Sequence, residues 1–196
     1  MEHSGIVVQR LGASHREKIV RHLVRLPAED RRLRFGAPMH DSTIETYVER
    51  IDFAHDQVFG IFGADLELSG MAHLALDTQG ESAELGLSVD CSVRGKGYGY
   101  ALLQRAVLHA TNRGYRALFM HCLAENGVMM NLARKAGLSV VITSGEADGR
   151  LALAKPTHAG AIHEAIEDQF ALVDYLFKQQ YSLLRKPRAA AALEQS

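Results

Sequence analysis

Apolar and polar positions alternate in two rhythms along the chain. Ile19, Leu23, Val24 and Leu26 recur at helical spacing until Pro27 stops them. Ser14 and Glu17 precede that run at capping-box spacing, and Ser42 and Glu45 repeat the spacing ahead of a second helix over IETYVERI. Ile6 to Leu11 reads as a first strand, and Glu29 to Met39 as the segment joining the two helices. From Gln57 the period shortens. VFGIF, a GAD turn and LELSGMAHLAL make a hairpin, and Ser82 to Val89 is the next strand. A helix from about Gly97 to Asn112 follows. ALFMHCL (Ala117 to Leu123) is continuously apolar, as in a fully buried strand. Val128 to Ala136 is a short helix stopped by Gly137, and LSVVIT and RLALA pair around the turn SGEADG.

Pro156 marks a change. His158 to Leu184 predicts one helix of ~40 Å, at ~1.5 Å per residue, with Ile162, Ile166, Phe170, Val173, Phe177, Tyr181 and Leu184 on one stripe. The pattern therefore divides the chain into a domain over 1–155 and a helical extension over 156–196. A small sheet covers only part of so long a helix, so the stripe predicts a homodimer in which the extension packs on a second copy. The fold class is α/β (α+β), with strands flanking helices around one strand–glycine turn–helix unit.

Composition narrows the picture. The 196 residues are 47% hydrophobic and carry a formal net charge of −1, so no global field draws the chain to nucleic acid or to a membrane. The compact basic cluster, Arg31, Arg32 and Arg34, reads as a solvated face. Two cysteines, Cys91 and Cys122, form no CxxC pair and read as reduced thiols of a cytoplasmic protein. No signal-peptide pattern opens the chain, and no apolar run is long enough to span a bilayer. The ten histidines are scattered without ligand spacing, so no metal is expected.

The chemistry concentrates in VRGKGYGYALLQRAV. Gly95, Gly97 and Gly99 alternate with charged and aromatic residues directly before a helix. A helix start offers unpaired amides and the positive end of the macrodipole, both of which attract phosphate. Glycines let the backbone approach an anion, and Arg94 and Lys96 add charge on the same turn. The spacing is neither GxxxxGK[ST] nor GxGxxG, which argues against ATP and NAD.

RGKGYG, from Arg94 to Gly99, resembles the [R/Q]xxGx[G/A] signature of the GNAT superfamily of N-acetyltransferases. The resemblance extends through AELGLSVDCSVRGKGYGYALL and LFMHCLAENGVMMNLARKAGL, and covers about Ile6 to Ala154. It implies a mixed, mostly antiparallel sheet whose central strands splay around acetyl-CoA. It also implies that the amides of Arg94, Gly95, Lys96, Gly97, Tyr98 and Gly99 hold the pyrophosphate. Leu87, Ser88 and Val89 would offer backbone groups to the pantetheine arm and thioester carbonyl, where a donor stabilises an oxyanion, and Asn126 would border the other side. A primary amine attacks the thioester directly, so the protein needs no nucleophile of its own.

An alkyl ammonium has a pKa of about 10 and must lose a proton before it attacks. Glu84 is the candidate base: alternation puts it on one strand face with Gly86 and Ser88, opposite Leu85, Leu87 and Val89. Glu81 is a weaker candidate, in the turn. Many relatives carry a tyrosine as general acid on the short helix, and aligning the closing Gly137-Leu138 pair puts Ala133 there. RLRFG, Arg32 to Gly36, resembles more weakly a bacterial subgroup that acetylates protein lysines, and Leu33 and Phe35 read as anchors of that segment to the core. Two functions follow: N-acetyl transfer from acetyl-CoA to a protein lysine or a small amine, or a non-catalytic acyl-CoA sensor or interaction protein on the same scaffold.

Overall fold

In a computed structural model, the backbone is described for residues 5–193 and the side chains for residues 5–182. Seven strands, β1 (Gln9–Leu11), β2 (Gln57–Phe62), β3 (Leu68–Leu76), β4 (Ser82–Val89), β5 (Ala117–Leu123), β6 (Ser139–Thr143) and β7 (Glu146–Ala152), form one sheet in the order β1-β2-β3-β4-β5-β7-β6. Every pairing is antiparallel except β4–β5. That parallel pair is short: Ser82, Ala83 and Glu84 match Ala117, Leu118 and Phe119, and beyond them the strands part. The α+β architecture read from the sequence is the one observed.

Helix α4 (Tyr98–Asn112) links β4 to β5 and buries Leu102, Leu103, Ala106 and Ala110 against one sheet face. Helices α1 (Arg16–Arg25) and α3 (Asp41–Glu49) cover the other face through Ile19, Leu23, Ile44 and Val48. Alternation along β4 sorts its residues between these layers. Leu85 and Leu87 join the α4 side, and Glu84, Gly86 and Ser88 the other.

Several local expectations change. Neither capping box forms. A 3-10 turn at 13–15 runs into α1, and His15 rather than Ser14 closes it, its Nδ1 accepting the Gly12 amide at 3.2 Å. Helix α3 starts at Asp41, so Ser42 and Glu45 both lie inside it. The segment after Pro27 is not a connector but a helix, α2 (Ala28–Phe35). Glu29 and Asp30 sit in its first turn and Arg32 and Arg34 in its last, as the macrodipole favours, and Gly36 ends it at φ 78°. Strand β1 is shorter than Ile6 to Leu11. The closing hairpin turns tightly on Ser144 (φ 52°) and Gly145 (φ 90°), so β7 begins at Glu146 within the expected turn.

The last helix, α6 (His158–Leu193), packs on α4 and β1 with the face opposite to its apolar stripe. Arg105 of α4, 3% exposed, meets Glu164 at 2.9 Å, Asp168 at 2.5 Å and Glu167 at 3.3 Å. Burial alone would raise the Glu164 carboxyl. Hydrogen bonds from His109, Asn112 and Arg105 overcome it and hold that carboxyl well below the usual range. Ile162, Ile166, Phe170, Val173 and Phe177 face outward, with Phe170 69% and Phe177 68% exposed. The Leu184 side chain of the expected stripe lies outside the described residues. Among the described residues no helix is long and apolar enough to cross a membrane.

Candidate functional site

Where β4 and β5 separate, a cavity of about 390 Å³ opens between them. Leu87, Ser88 and Val89 line one wall, and Asn126, Met129 and Leu132, at the start and along the length of α5 (Gly127–Lys135), line the other. The glycine turn closes its outer end with Arg94, Gly95, Gly97, Tyr98 and Gly99.

The turn takes the backbone conformation that its glycines suggest. Gly95 (φ 74°) and Gly97 (φ 88°) take left-handed conformations that L side chains rarely adopt. Gly97 precedes α4, whose first backbone bond runs from the Ala101 amide to the Gly97 carbonyl at 3.0 Å. Tyr98 and Gly99, ahead of that bond, belong to the unpaired first turn and line the cavity. A Cβ on Gly99 would make ordinary contacts, 3.4 Å to Leu132 and 3.7 Å to Leu87, which shows that the helix start nests between the two walls.

The two cations of the turn differ from the expectation. Lys96 does not line the cavity: its ammonium donates to the Ser92 carbonyl at 3.2 Å, because the reversals at Gly95 and Gly97 turn the residue between them outward. Arg94 does line it but is paired with Asp30 of α2 at 2.5 Å. Helix α2 thus roofs the cavity. Asp30 holds the turn, Arg32 reaches Glu125 before α5 at 2.6 Å, and Leu33 and Arg34 line the interior. Leu33 is therefore a wall residue, whereas Phe35 anchors in the core against Tyr47.

Asn126 is 9% exposed, and its side-chain oxygen accepts the Met129 amide at 3.1 Å, capping α5. Its amide nitrogen lies 3.5 Å from the Leu33 carbonyl. Ser88 contributes backbone to the wall, while its hydroxyl points the other way and donates to His22 Nε2 at 2.9 Å. His22 Nδ1 in turn donates to the Leu68 carbonyl at 2.9 Å, the tautomer its partners assign. Burial is the main reason the His22 pKa falls to about 4, so the ring is neutral near pH 7.

Glu84 stands on the last paired rung, between Ala75 of β3 and Phe119 of β5, exposed at the apex of the cleft. Glu81 lies beyond the closed end and pairs with Arg116 at 3.0 Å. Ala133 is buried and brings no hydroxyl to the cavity. Both thiols are free; Cys91 is exposed, and burial pushes the Cys122 thiol up.

One group beside the apex escaped the sequence. His73, cross-strand from Gly86, accepts the Tyr47 hydroxyl at 2.6 Å through Nδ1 and donates to Asp56 at 3.0 Å through Nε2. Tyr47 accepts in turn from Arg34 at 3.3 Å. Burial lowers the His73 pKa, against the pull of Asp56. The available hint was polarity out of place: one histidine in MAHLAL and one tyrosine in IETYVERI.

A family model described as acetyltransferase (GNAT) family matches residues 23–138. No curated protein matches the chain by sequence. Among solved structures, the GNAT domain of PAT from S. lividans superposes with a TM-score of 0.64 at 19% identity, over 74% of this chain and 89% of that one. A phosphinothricin acetyltransferase from Sinorhizobium meliloti, in complex with AcCoA, gives 0.58 at 17%, over 78% and 94%. The ribosomal-protein-alanine N-acetyltransferase of Brucella melitensis gives 0.58 at 15%, over 76% and 100%.

The buried His22 sets a pH dependence. In the unfolded chain this histidine takes up a proton near its ordinary 6.5, whereas in the fold it waits until about 4. Stability conferred by the neutral ring is therefore complete above pH 6.5 and is lost as pH falls from 6.5 to about 4, on the order of 3 kcal/mol. His22→Gln takes up no proton, so its urea midpoint should fall less steeply across that window than the wild type's. Equal slopes would mean that the folded protein protonates His22 as readily as the unfolded chain does.

Proposed function

This chain belongs to the acetyltransferase (GNAT) family, which makes it an N-acetyltransferase, and on that premise we propose that it moves acetyl from acetyl-CoA to a primary amine, of a protein lysine or a small molecule, by direct attack. One observation carries the reading: the cavity that opens where β4 and β5 part is lined by a glycine-led helix start, and Glu84 stands on the last rung before that parting. The glycine turn fits the coenzyme, because Gly95, Gly97 and Gly99 keep side chains out of the space an anion needs. Backbone at Gly95 to Gly99 would hold the pyrophosphate, with Arg94 beside it. Leu87, Ser88 and Val89 would flank the pantetheine arm, and Asn126 would fix the opposite wall.

Acetyl-CoA supplies an acetyl group already activated as a thioester. The protein's part is to place an amine at the apex and take its proton. Glu84, exposed on the rung where the strands part, is in position to accept it, directly or through a water. With Ala133 where a hydroxyl would serve as acid, the thiolate leaves without help from α5. The likenesses to solved structures are of fold, and their names point to different acceptors, so they do not choose one. We take residues 1–155 as the catalytic domain and 156–196 as its helical extension, in a cytoplasmic protein with reduced thiols.

The outward stripe of α6 repeats at intervals of four, four, three and four residues, as in a helix–helix seam. We propose that it seats a second copy of the chain. Each large side chain buried is worth ~1.5–3 kcal/mol. Light scattering should give a dimer at micromolar concentration and a monomer for Phe170→Glu/Phe177→Glu; a monomeric wild type would refute the dimer.

Gly97→Asp should abolish acetyl-CoA binding in calorimetry, since it puts a carboxylate where the pyrophosphate lies. Unchanged affinity in the folded variant would remove the turn from the binding site. Glu84→Gln should lower turnover by roughly 100-fold while sparing acetyl-CoA affinity, and the deficit should shrink as pH rises and the amine loses its proton unaided. Wild-type turnover at pH 7 would make Glu84 an ordinary surface residue.

A further inference from the structure

Three arginines follow one another on α2, and two have carboxylate partners. Arg31 meets Asp41 at 2.5 Å, and Arg32 meets Glu29 and Glu125, each at 2.6 Å. Among the described residues no ion pair includes Arg34. Its guanidinium has the Tyr47 hydroxyl at 3.3 Å and the Phe35 ring at 4.9 Å, and its Nε is buried with no hydrogen-bond partner. Arg105 Nε and Glu167 Oε2 also lack hydrogen bonds but face each other in an ion pair at 3.3 Å, whereas Arg34 Nε has neither, and a buried donor without any acceptor marks a place where one belongs.

The position of that donor is specific. Arg34 lies against Gly86 so closely that a Cβ on residue 86 would overlap Cζ, Nη1 and Nη2. Gly86 is the second residue beyond Glu84 and faces the same way, so the guanidinium packs on the strand two residues, ~7 Å, along from the position of the candidate base. Arg34 also lines the cavity, at the end away from the glycine turn. The turn thus has its own cradle and cation, and the other end has a second cation that is in no ion pair among the described residues.

The cation is also aimed. Asp56 accepts from His73 at 3.0 Å, His73 accepts from Tyr47 at 2.6 Å, and Tyr47 accepts from Arg34 at 3.3 Å. Every donor in this chain has one acceptor, and the chain takes a single N–H of Nη2. The Nε–H is left without an acceptor, and a guanidinium with donors to spare can grip a carboxylate with two parallel bonds.

We infer that the acceptor is an amine that also carries a carboxylate, a free amino acid in its zwitterionic form, and that Arg34 holds the carboxylate while the ammonium group lies toward Glu84. This rests on the transfer reading above and narrows its acceptor. A zwitterion brings each charge to its opposite, whereas a lysine side chain or a polyamine meets Glu84 but leaves Arg34 without a carboxylate. Tyr47, His73 and Asp56 are positioning residues, acting through Arg34.

Coenzyme A release by the full-length protein tests this, with free amino acids, their carboxamides, polyamines and lysine peptides as acceptors. At least one amino acid should show kcat/KM ~100-fold above its own carboxamide, because the amide lacks the charge Arg34 needs. Arg34→Gln should remove most of that difference, and Tyr47→Phe should raise KM for the amino acid more than it changes kcat. The wild-type comparison of acid with amide stands even if a variant misfolds. Equal use of acid and amide, acceptance of only polyamines or lysine peptides, or full discrimination in Arg34→Gln would overturn the inference. So would a preference for succinyl-CoA over acetyl-CoA with a neutral amine that Arg34→Gln abolishes, which would put the carboxylate on the donor. Failure to bind acetyl-CoA in calorimetry, or release to none of the amines, would refute the transfer reading itself and this inference with it.

Discussion

The structure turns on a hydrogen-bond ladder that stops. Strands β4 and β5 pair over three rungs and then part, although each continues for several residues. A buried backbone edge without a partner is costly. The divergence is tolerable because other elements fill the gap: α4 starts on one side, α5 on the other, and α2 crosses between them through Asp30, Arg32 and Leu33. What remains open is a slot with polar backbone on its wall, a helix terminus at its mouth and titratable side chains at its apex. The site proposed for acetyl transfer is the set of groups that this separation leaves facing one another.

Much of this was legible from the chain because the governing interactions are local. A glycine turn before a helix is recognised from adjacent residues, and the alternation along Ser82 to Val89 assigns Glu84 to its face without knowledge of the rest of the fold. The failures have different causes. In the pattern Pro27 signals only an end, so a connector is expected where α2 forms, whereas this proline ends one helix and opens the next. Proximity in sequence places Lys96 with the cradle, although two left-handed glycines rotate it outward. The His22–Ser88 bond and the Asp56–His73–Tyr47–Arg34 chain join residues far apart in sequence, and no local pattern announces such pairs. His22 shows the difficulty: at a helical core position it reads as apolar packing, while its two ring nitrogens are both in use.

The amphipathic character of α6 was legible, but not which side faces its own domain. Apolar stripes are ordinarily the buried ones. Here the inner contacts are led by Arg105, a cation inside α4's core face, which draws Glu164, Glu167 and Asp168 to it. Leaving that guanidinium buried and alone would cost several kcal/mol, and the carboxylates of α6 remove that cost. The position of one charged residue in another helix therefore decides the orientation, and the periodicity of α6 itself does not contain that information.

The same cluster fixes the register of α6. Two apolar helix faces can slide past each other by a turn, ~5.4 Å, and trade one leucine contact for another. A helix whose Glu164 must meet Arg105, His109 and Asn112 at once has a single axial position and a single rotation. The outward residues inherit that precision. Ile162, Ile166, Phe170, Val173 and Phe177 form a ruled edge, set in angle and height by ion pairs on the far side of their own helix.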